Sequence, residues 1–247
     1  LKERGHDVIV LEKNDSVGGN LVTAAAMHLK EDMPVYRDWL IRKFLASGAE
    51  IRLSTEATPE LIKEIAPDAM IIAAGADPVI VKVPGFDLPH VHWCGDADMG
   101  KCPVGDEIVI IGGGSVGCEL ADFLAPTLND RFPRNRKVTV LEMLPEIMMT
   151  EGGVVRSKLA MRMMEKGIRI ESGAKVTSVT EDTIVFEREH VIKDADTLVF
   201  ANGYHVDSAM EDMLKASGNV YHLIGDGAKV GNIKDAISGA YELARSL

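Results

Sequence analysis

The chain has 247 residues, with 27 Lys and Arg against 38 Asp and Glu, a formal charge of −11, and 46% apolar residues. This is the balance of a globular protein with chain enough for one large or two modest domains. The acidic excess argues against nucleic acid, which needs clustered Lys and Arg, and no apolar run reaches the roughly 18–20 residues that cross a bilayer. The chain opens Leu1-Lys2-Glu3-Arg4-Gly5, which reads as the last turn of a helix capped by Gly5. With no initiator Met and no earlier strand, it is expected to be a fragment of something longer. No signal peptide is visible. Cys94, Cys102 and Cys118 are odd in number and lack CxxC spacing, which excludes a disulfide scaffold and a paired redox motif; a reducing, cytoplasmic setting is expected.

Residues 8–11 form a β-branched run ending at Glu12-Lys13, which predicts a buried parallel strand. A turn-rich loop follows over 15–20, with the pair Gly18-Gly19 before Asn20. Val35, Trp39, Leu40 and Phe44 predict a helix over 34–46, closed by Gly48, and 50–53 the next strand. Thr58-Pro59-Glu60 starts a helix, with Thr as N-cap and Pro at the first helical position. Pro67 ends it, and 69–73 runs as a strand into Gly75. Strands alternating with helices at this spacing imply a parallel α/β sheet. A second cycle follows Pro103: strand 107–111, helix 115–124, strand 138–141 ending in Glu142, helix 154–165 and strand 168–171. Segments 175–179 and 183–187 predict an antiparallel hairpin across Glu181-Asp182. Strands at 197–201 and 220–224 and a final helix over 233–245 complete two α/β nucleotide-fold units.

The strongest local signal is Gly112-x-Gly114-x-x-Gly117, which follows a strand and opens a helix. The first Gly makes the tight turn, the second lets backbone approach a pyrophosphate, and the third lets the helix pack on the strand. Backbone N–H groups near Ser115 and Val116 then aim the helix N-terminus at phosphate. Glu142, ending the next strand, is placed to accept from both ribose hydroxyls of an adenosine and to repel a 2′-phosphate, favouring NAD over NADP. It lies 30 positions after Gly112 rather than the usual ~20, because of an insertion over 126–136. That insertion carries Arg131, Arg134 and Arg136, with Lys137 beside it. Folded back over the ribose, its arginines would accept a 2′-phosphate; a solvated loop is the plainer reading.

Glu12 repeats the arrangement in the first unit, and the Gly18-Gly19-Asn20 loop raises it above a solvated strand end. Ala73-Ala74-Gly75 and Ala201-Asn202-Gly203 end strands with small residues, which let backbone pass near a cofactor or let two domains touch. Gly225-Asp226 ends a buried strand, where an Asp can accept from a sugar-alcohol hydroxyl or cap a helix. Cys118, one place after Gly117, reads as core packing. Cys94 and Cys102, near His90 and His92, match no common zinc spacing. Met161, Met163 and Met164 read as core filler.

In this order the pieces resemble the two-dinucleotide-binding-domain flavoproteins, and within them the C-terminal part of the NADH:flavin oxidoreductase / 2-enoate reductase family. Leu11-Glu12-Lys13 with Val17-Gly18-Gly19-Asn20, and Gly231-Asn232-Ile233-Lys234-Asp235-Ala236-Ile237, are the most family-like phrases. The resemblance implies an α/β architecture of two Rossmann-like FAD/NAD(P)-binding domains, disulfide-reductase-like without the redox cysteines. A discontinuous FAD-type domain would cover 1–103 plus 205–247, and an inserted NAD(P)H-binding domain 104–204. It implies that Glu12 and Lys13 lie at the FAD adenosine ribose and that Gly18, Gly19, Asn20, Ala74 and Gly75 lie along the cofactor. Gly225 and Asp226 would meet the ribityl chain, and Lys234, Asp235 and Ala236 would approach the flavin ring. Gly112, Gly114, Ser115, Val116, Gly117 and Glu142 would hold NADH, with Gly203 near the cofactor. No side chain need act as acid or base, and no metal is implied in this chain.

The family further implies an N-terminal barrel partner with FMN and a four-iron–four-sulfur cluster, and a parent activity passing hydride from NADH to FAD to reduce an activated alkene, a 2-enoate or dienoyl-CoA. Because the first βα unit is missing, FAD is expected to be weak or absent in this chain, and exposed strand edges point to self-association. Two other readings remain open: a non-catalytic ADP-holding domain as in amine dehydrogenases, and an electron-transfer subunit resembling the glutamate synthase small chain.

Overall fold

The computed structural model describes residues 1–27, 30–126, 135–186, 190–217 and 220–247. They divide into two compact units: unit 1, of residues 1–25, 32–78 and 204–247, and unit 2, of 26–31 and 79–203.

Unit 1 begins with a 3-10 turn, Lys2–Arg4, closed by Gly5 at φ 92. It holds β1 (Ile9–Leu11), α1 (Asn20–Ala24), α2 (Asp32–Leu45), β2 (Glu50–Arg52), α3 (Pro59–Ile65), β3 (Met70–Ile72) and β4 (Asp77–Pro78). Thr58 caps α3 as its spacing predicts, its hydroxyl accepting from Leu61 N–H, with Pro59 in the first turn. β1 pairs in parallel with β2. After the excursion into unit 2, β13 (Tyr204–His205) returns antiparallel to β4, before α7 (Ala209–Ser217), β14 (Tyr221–Leu223) and α8 (Ile233–Ser246). β14 pairs in parallel with β3. The buried core here is Ile62, Ile72 and Leu214, while β1, β2, α2 and α8 contribute no buried residue.

Unit 2 is built on a five-stranded parallel sheet. Its strands are β5 (Val91–Trp93), β6 (Glu107–Ile111), β7 (Lys137–Glu142), β8 (Arg169–Ser172) and β12 (Thr197–Phe200), in spatial order β5-β12-β6-β7-β8. Both faces are buried, so the period of two along a strand sends alternate side chains into different cores. Ile108, Ile110, Val138, Val140 and Val199 pack on one face with residues of α4 (Cys94–Asp98), α5 (Ser115–Leu124) and α6 (Gly153–Glu165). Val109, Ile111, Leu141 and Leu198 share the other with Val176, Val179, Ile184 and Phe186. These last come from an antiparallel sheet of β9 (Val176–Val179), β10 (Thr183–Phe186) and β11 (His190–Lys193), which contains the expected hairpin.

Four expectations change. The strand over 8–11, expected to be buried, is not: β1 is exposed at Ile9 and half-buried at Val10 and Leu11, because among the described residues it pairs with β2 alone. Residues 79–103, read with the first unit, pack in unit 2: β5 pairs with β12, and Gly85 (φ 91) lies so close to Val179 that a Cβ would sit 2.0 Å from the Val179 carbonyl oxygen. That is a long-range pairing, with no local signature. Of the α6 methionines only Met163 is fully buried; Met161 and Met164 are 57% and 73% exposed, because one stripe of the helix meets the core. Arg131 and Arg134 lie outside the described residues. Arg136, however, donates from its guanidinium to the Gly105 and Val104 carbonyls at the start of β6. It stands at the opposite end of β7 from Glu142, roughly 20 Å away at 3.3 Å per residue.

Among the described residues no helix is long and apolar enough to cross a membrane, and no three His, Cys, Asp or Glu side chains converge as metal ligands.

Candidate functional site

The predicted site residues fall into two groups, one in each unit. In unit 2 they converge at the carboxyl ends of β6, β7 and β12. Gly112 leaves β6 at φ 113, a left-handed conformation open to glycine, with its N–H bonded to Leu141 O. A Cβ on Gly112 would sit 2.4 Å from the Ala201 carbonyl oxygen, and one on Gly117 would sit 2.0 Å from the Gly112 carbonyl oxygen. Two of the three motif glycines are thus required by backbone packing alone. Gly114 is different: it is exposed, and a Cβ there meets nothing within 4 Å. It is the N-cap of α5 and makes no side-chain cap hydrogen bond to the first-turn N–H groups, which include those of Ser115 and Val116.

Glu142 is buried at 7% exposure at the end of β7, its Oε2 accepting from Gly113 N–H at 2.6 Å and its Oε1 from Leu144 N–H at 2.7 Å. Each carboxylate oxygen keeps further acceptor capacity for a hydroxyl. Met148 N–H donates to the Gly113 carbonyl oxygen at 2.8 Å. The sequence reading missed Gly113, whose signal was a third glycine where the motif allows any residue. A Cβ there would lie 2.8 Å from both Glu142 Cβ and Ile147 Cγ2. Gly203, at φ 81, accepts from Val79 N–H and stands open. The neighbouring Asn202 carries a buried Nδ2 with no hydrogen-bond partner among the described residues. Glycines packed to backbone contact, an uncapped helix start and an orphaned buried donor together fit a phosphate-bearing dinucleotide.

Cys118 is fully buried behind this loop, its Sγ 3.4 Å from the Gly113 carbonyl oxygen. Burial, with the Glu142 and Glu119 carboxylates, pushes its thiol up to about 12, so it packs rather than reacts.

In unit 1, half-buried Glu12 follows β1 and accepts from both the backbone and side-chain N–H of Asn14 at 2.8 and 2.7 Å; Lys13 is exposed. Gly18 (φ 127) and Gly19 (φ 48) turn the chain into α1. Asn20 then reaches the loop after β3, donating Nδ2–H to Ala76 O at 3.1 Å beside Gly75. Gly225 (φ 57) opens a 3-10 turn, Gly225–Gly227, in which Gly227 approaches the Ile72 and Gly75 carbonyls and the Ala74 nitrogen. Glu12 apart, the unit 1 motifs are therefore brought together around the ends of β3 and β14. Asp226 does not cap α8; its Oδ1 accepts from Gly231 N–H at 3.0 Å. The cap is Asn232, in a reciprocal capping box with Asp235, which fixes the helix start at Lys234 and Ala236. Ala236 Cβ would lie 3.4 Å from a Cβ on Gly225.

A family model described as pyridine nucleotide-disulphide oxidoreductase matches residues 1–220. An NADH oxidase of Thermoanaerobacter brockii is 32% identical over 250 residues, covering 98% of this chain and 37% of that protein. A cinnamate reductase of Clostridium sporogenes is 31% identical, covering 99% and 36%. A solved 2-naphthoyl-CoA reductase complex with 2-naphthoyl-CoA superposes at TM-score 0.83 with 28% identity, covering 98% of this chain and 36% of that one. The chain thus spans little more than a third of these relatives' length.

Proposed function

The chain belongs to the pyridine nucleotide-disulphide oxidoreductase family, and from that premise we propose that it is the NADH- and FAD-binding part of a flavin oxidoreductase that reduces an activated alkene. The carrying observation is the glycine loop of unit 2: Gly112 and Gly117 let its turn pack backbone to backbone at the end of β6, and Gly114, open on its outer side, starts α5 with no side-chain cap, which supports a pyrophosphate there. Ser115 and Val116 offer N–H groups to the phosphates, and Glu142 takes the adenosine ribose.

NADH is preferred over NADPH on charge. Glu142 would stand at the ribose, and Arg156, further along the chain, is ion-paired to Glu146. Arg136 is held at the far end of the sheet. A 2′-phosphate would meet the Glu142 carboxylate.

In unit 1, Glu12 and Lys13 would lie at the FAD adenosine ribose, with Gly18, Gly19, Asn20, Ala74 and Gly75 along the cofactor. Asp226, braced by Gly231, would hold the ribityl chain beside Gly225, and Lys234, Asp235 and Ala236 would start a helix toward the flavin ring. When bound, the cofactors supply hydride transfer from nicotinamide to flavin. The side chains bind and orient, and none acts as acid or base. An alkene acceptor is supported by the cinnamate and 2-naphthoyl-CoA reductases among the similar proteins; by the family resemblance its reduction would fall to a barrel with FMN and an iron–sulfur cluster.

The test is a fluorescence titration with NADH, then with FAD, followed by anaerobic mixing of all three. Saturable NADH binding is expected, with FAD held weakly or not at all; bleaching of a bound flavin by NADH would show a working hydride path in this chain. Binding of ADP without NADH would overturn the reading in favour of a non-catalytic nucleotide holder.

A further inference from the structure

Asn202 in unit 2 holds a buried donor that none of these roles uses. Its Nδ2 is shielded from solvent without a hydrogen-bond partner among the described residues, and its Oδ1 lies 3.4 Å from where a Cβ on Gly112 would sit. Orphaned buried donors are costly and rare, and where they persist a ligand, water or ion supplies the acceptor. The topology says which part of a ligand would do so. The sheet order reverses at β6, with β7 and β8 on one side and β12 and β5 on the other. In open parallel sheets a dinucleotide straddles that reversal, outside the carboxyl ends of the strands. Glu142 ends β7 on one side, and Asn202 follows β12 on the other.

We propose that Asn202 is a positioning residue for the nicotinamide-ribose half of NADH, its Nδ2–H donating to an oxygen of that half while Glu142 holds the adenosine half. This rests on the reading that unit 2 binds NADH. Ala201 and Gly203 on either side are small, so the amide is the one side chain of this turn long enough to reach a ligand.

The experiment compares the binding of NADH and of ADP by wild type, Asn202→Ala, Asn202→Ser and Glu142→Gln, with a thermal melt of each. Serine keeps a hydroxyl should the alanine variant fold poorly. The Asn202 variants are expected to raise the NADH Kd by about three- to tenfold, the worth of one hydrogen bond, and to leave ADP affinity unchanged. Glu142→Gln is expected to weaken both. Unchanged NADH binding by the Asn202 variants, or equal loss of NADH and ADP, overturns the proposal alone. Wild type binding ADP but not NADH overturns the parent reading and the proposal together.

Discussion

The Glu142 carboxylate closes the glycine loop from the neighbouring strand, its Oε2 taking the Gly113 backbone N–H at 2.6 Å. Met148, in the left-handed region at φ 51, returns an N–H to the carbonyl of the same Gly113. Gly113, between two motif glycines, is therefore held from both sides, by Glu142 at the end of β7 and by Met148 in the segment after it, which ties the proposed ribose end of the site to the glycine loop.

Gly113→Ala tests that coupling. The new Cβ would lie 2.8 Å from Glu142 Cβ and Ile147 Cγ2, so the loop must open. We expect a loss of about 1–3 kcal/mol in stability, the usual cost of overpacking, and at least a tenfold weaker NADH Kd. A melt and a titration check both. Unaltered affinity would show that the latch does not shape the site.

Asp122 on α5 is fully buried and ion-paired to Arg162 and Lys166 of the segment running out of α6. Removing a buried charge strands its partners, so Asp122→Ala should cost about 3 kcal/mol. Arg162 is half exposed, and Arg162→Ala should cost less, since Lys166 remains. Denaturant unfolding of the two variants gives the comparison.

Asp98 on α4 is buried, one carboxyl oxygen without a hydrogen-bond partner among the described residues, near the Lys30–Glu119 ion pair. Burial raises it from 3.8 to about 6; Lys30 opposes the shift and Glu119 adds to it. Between those values the folded state holds a proton that the unfolded chain has lost, so stability falls as pH rises from about 4 to about 6. Asp98→Asn should melt a few degrees higher than wild type at pH 7 and lose that advantage below pH 4. A pH-independent gain would rule out ionisation as the cause.

The thiols should separate by burial. Cys94 and Cys118 are 4% and 0% exposed, and burial pushes each up to about 12. Cys102 is only half-buried. A thiol-specific reagent at pH 8 should modify Cys102 in the native protein and the other two only after denaturation, followed by mass spectrometry of peptides.

Much of this was legible in the residues. The strand at 107–111 and the helix at 115–124 coincide with β6 and α5, because a β-branched run, a glycine turn and helical spacing act within a few residues of one another. The Thr58 cap, the hairpin at β9 and β10, and carboxylates at two strand ends are likewise local. What tertiary structure alone decided concerns residues far apart in sequence. Residues 79–103 joined unit 2 through the β5–β12 pairing, the antiparallel β4–β13 pair formed across more than a hundred residues, and Arg136 turned to the far end of the sheet. Burial made the same kind of choice, taking Met163 and leaving Met161 and Met164 outside. Asn202 reads as one small-loop residue among several until the fold sets its amide beside Gly112 and leaves its Nδ2 without a partner among the described residues. Periodicity and turn chemistry act through neighbours along the chain. Pairing, burial and an unmet hydrogen bond exist only once distant segments meet.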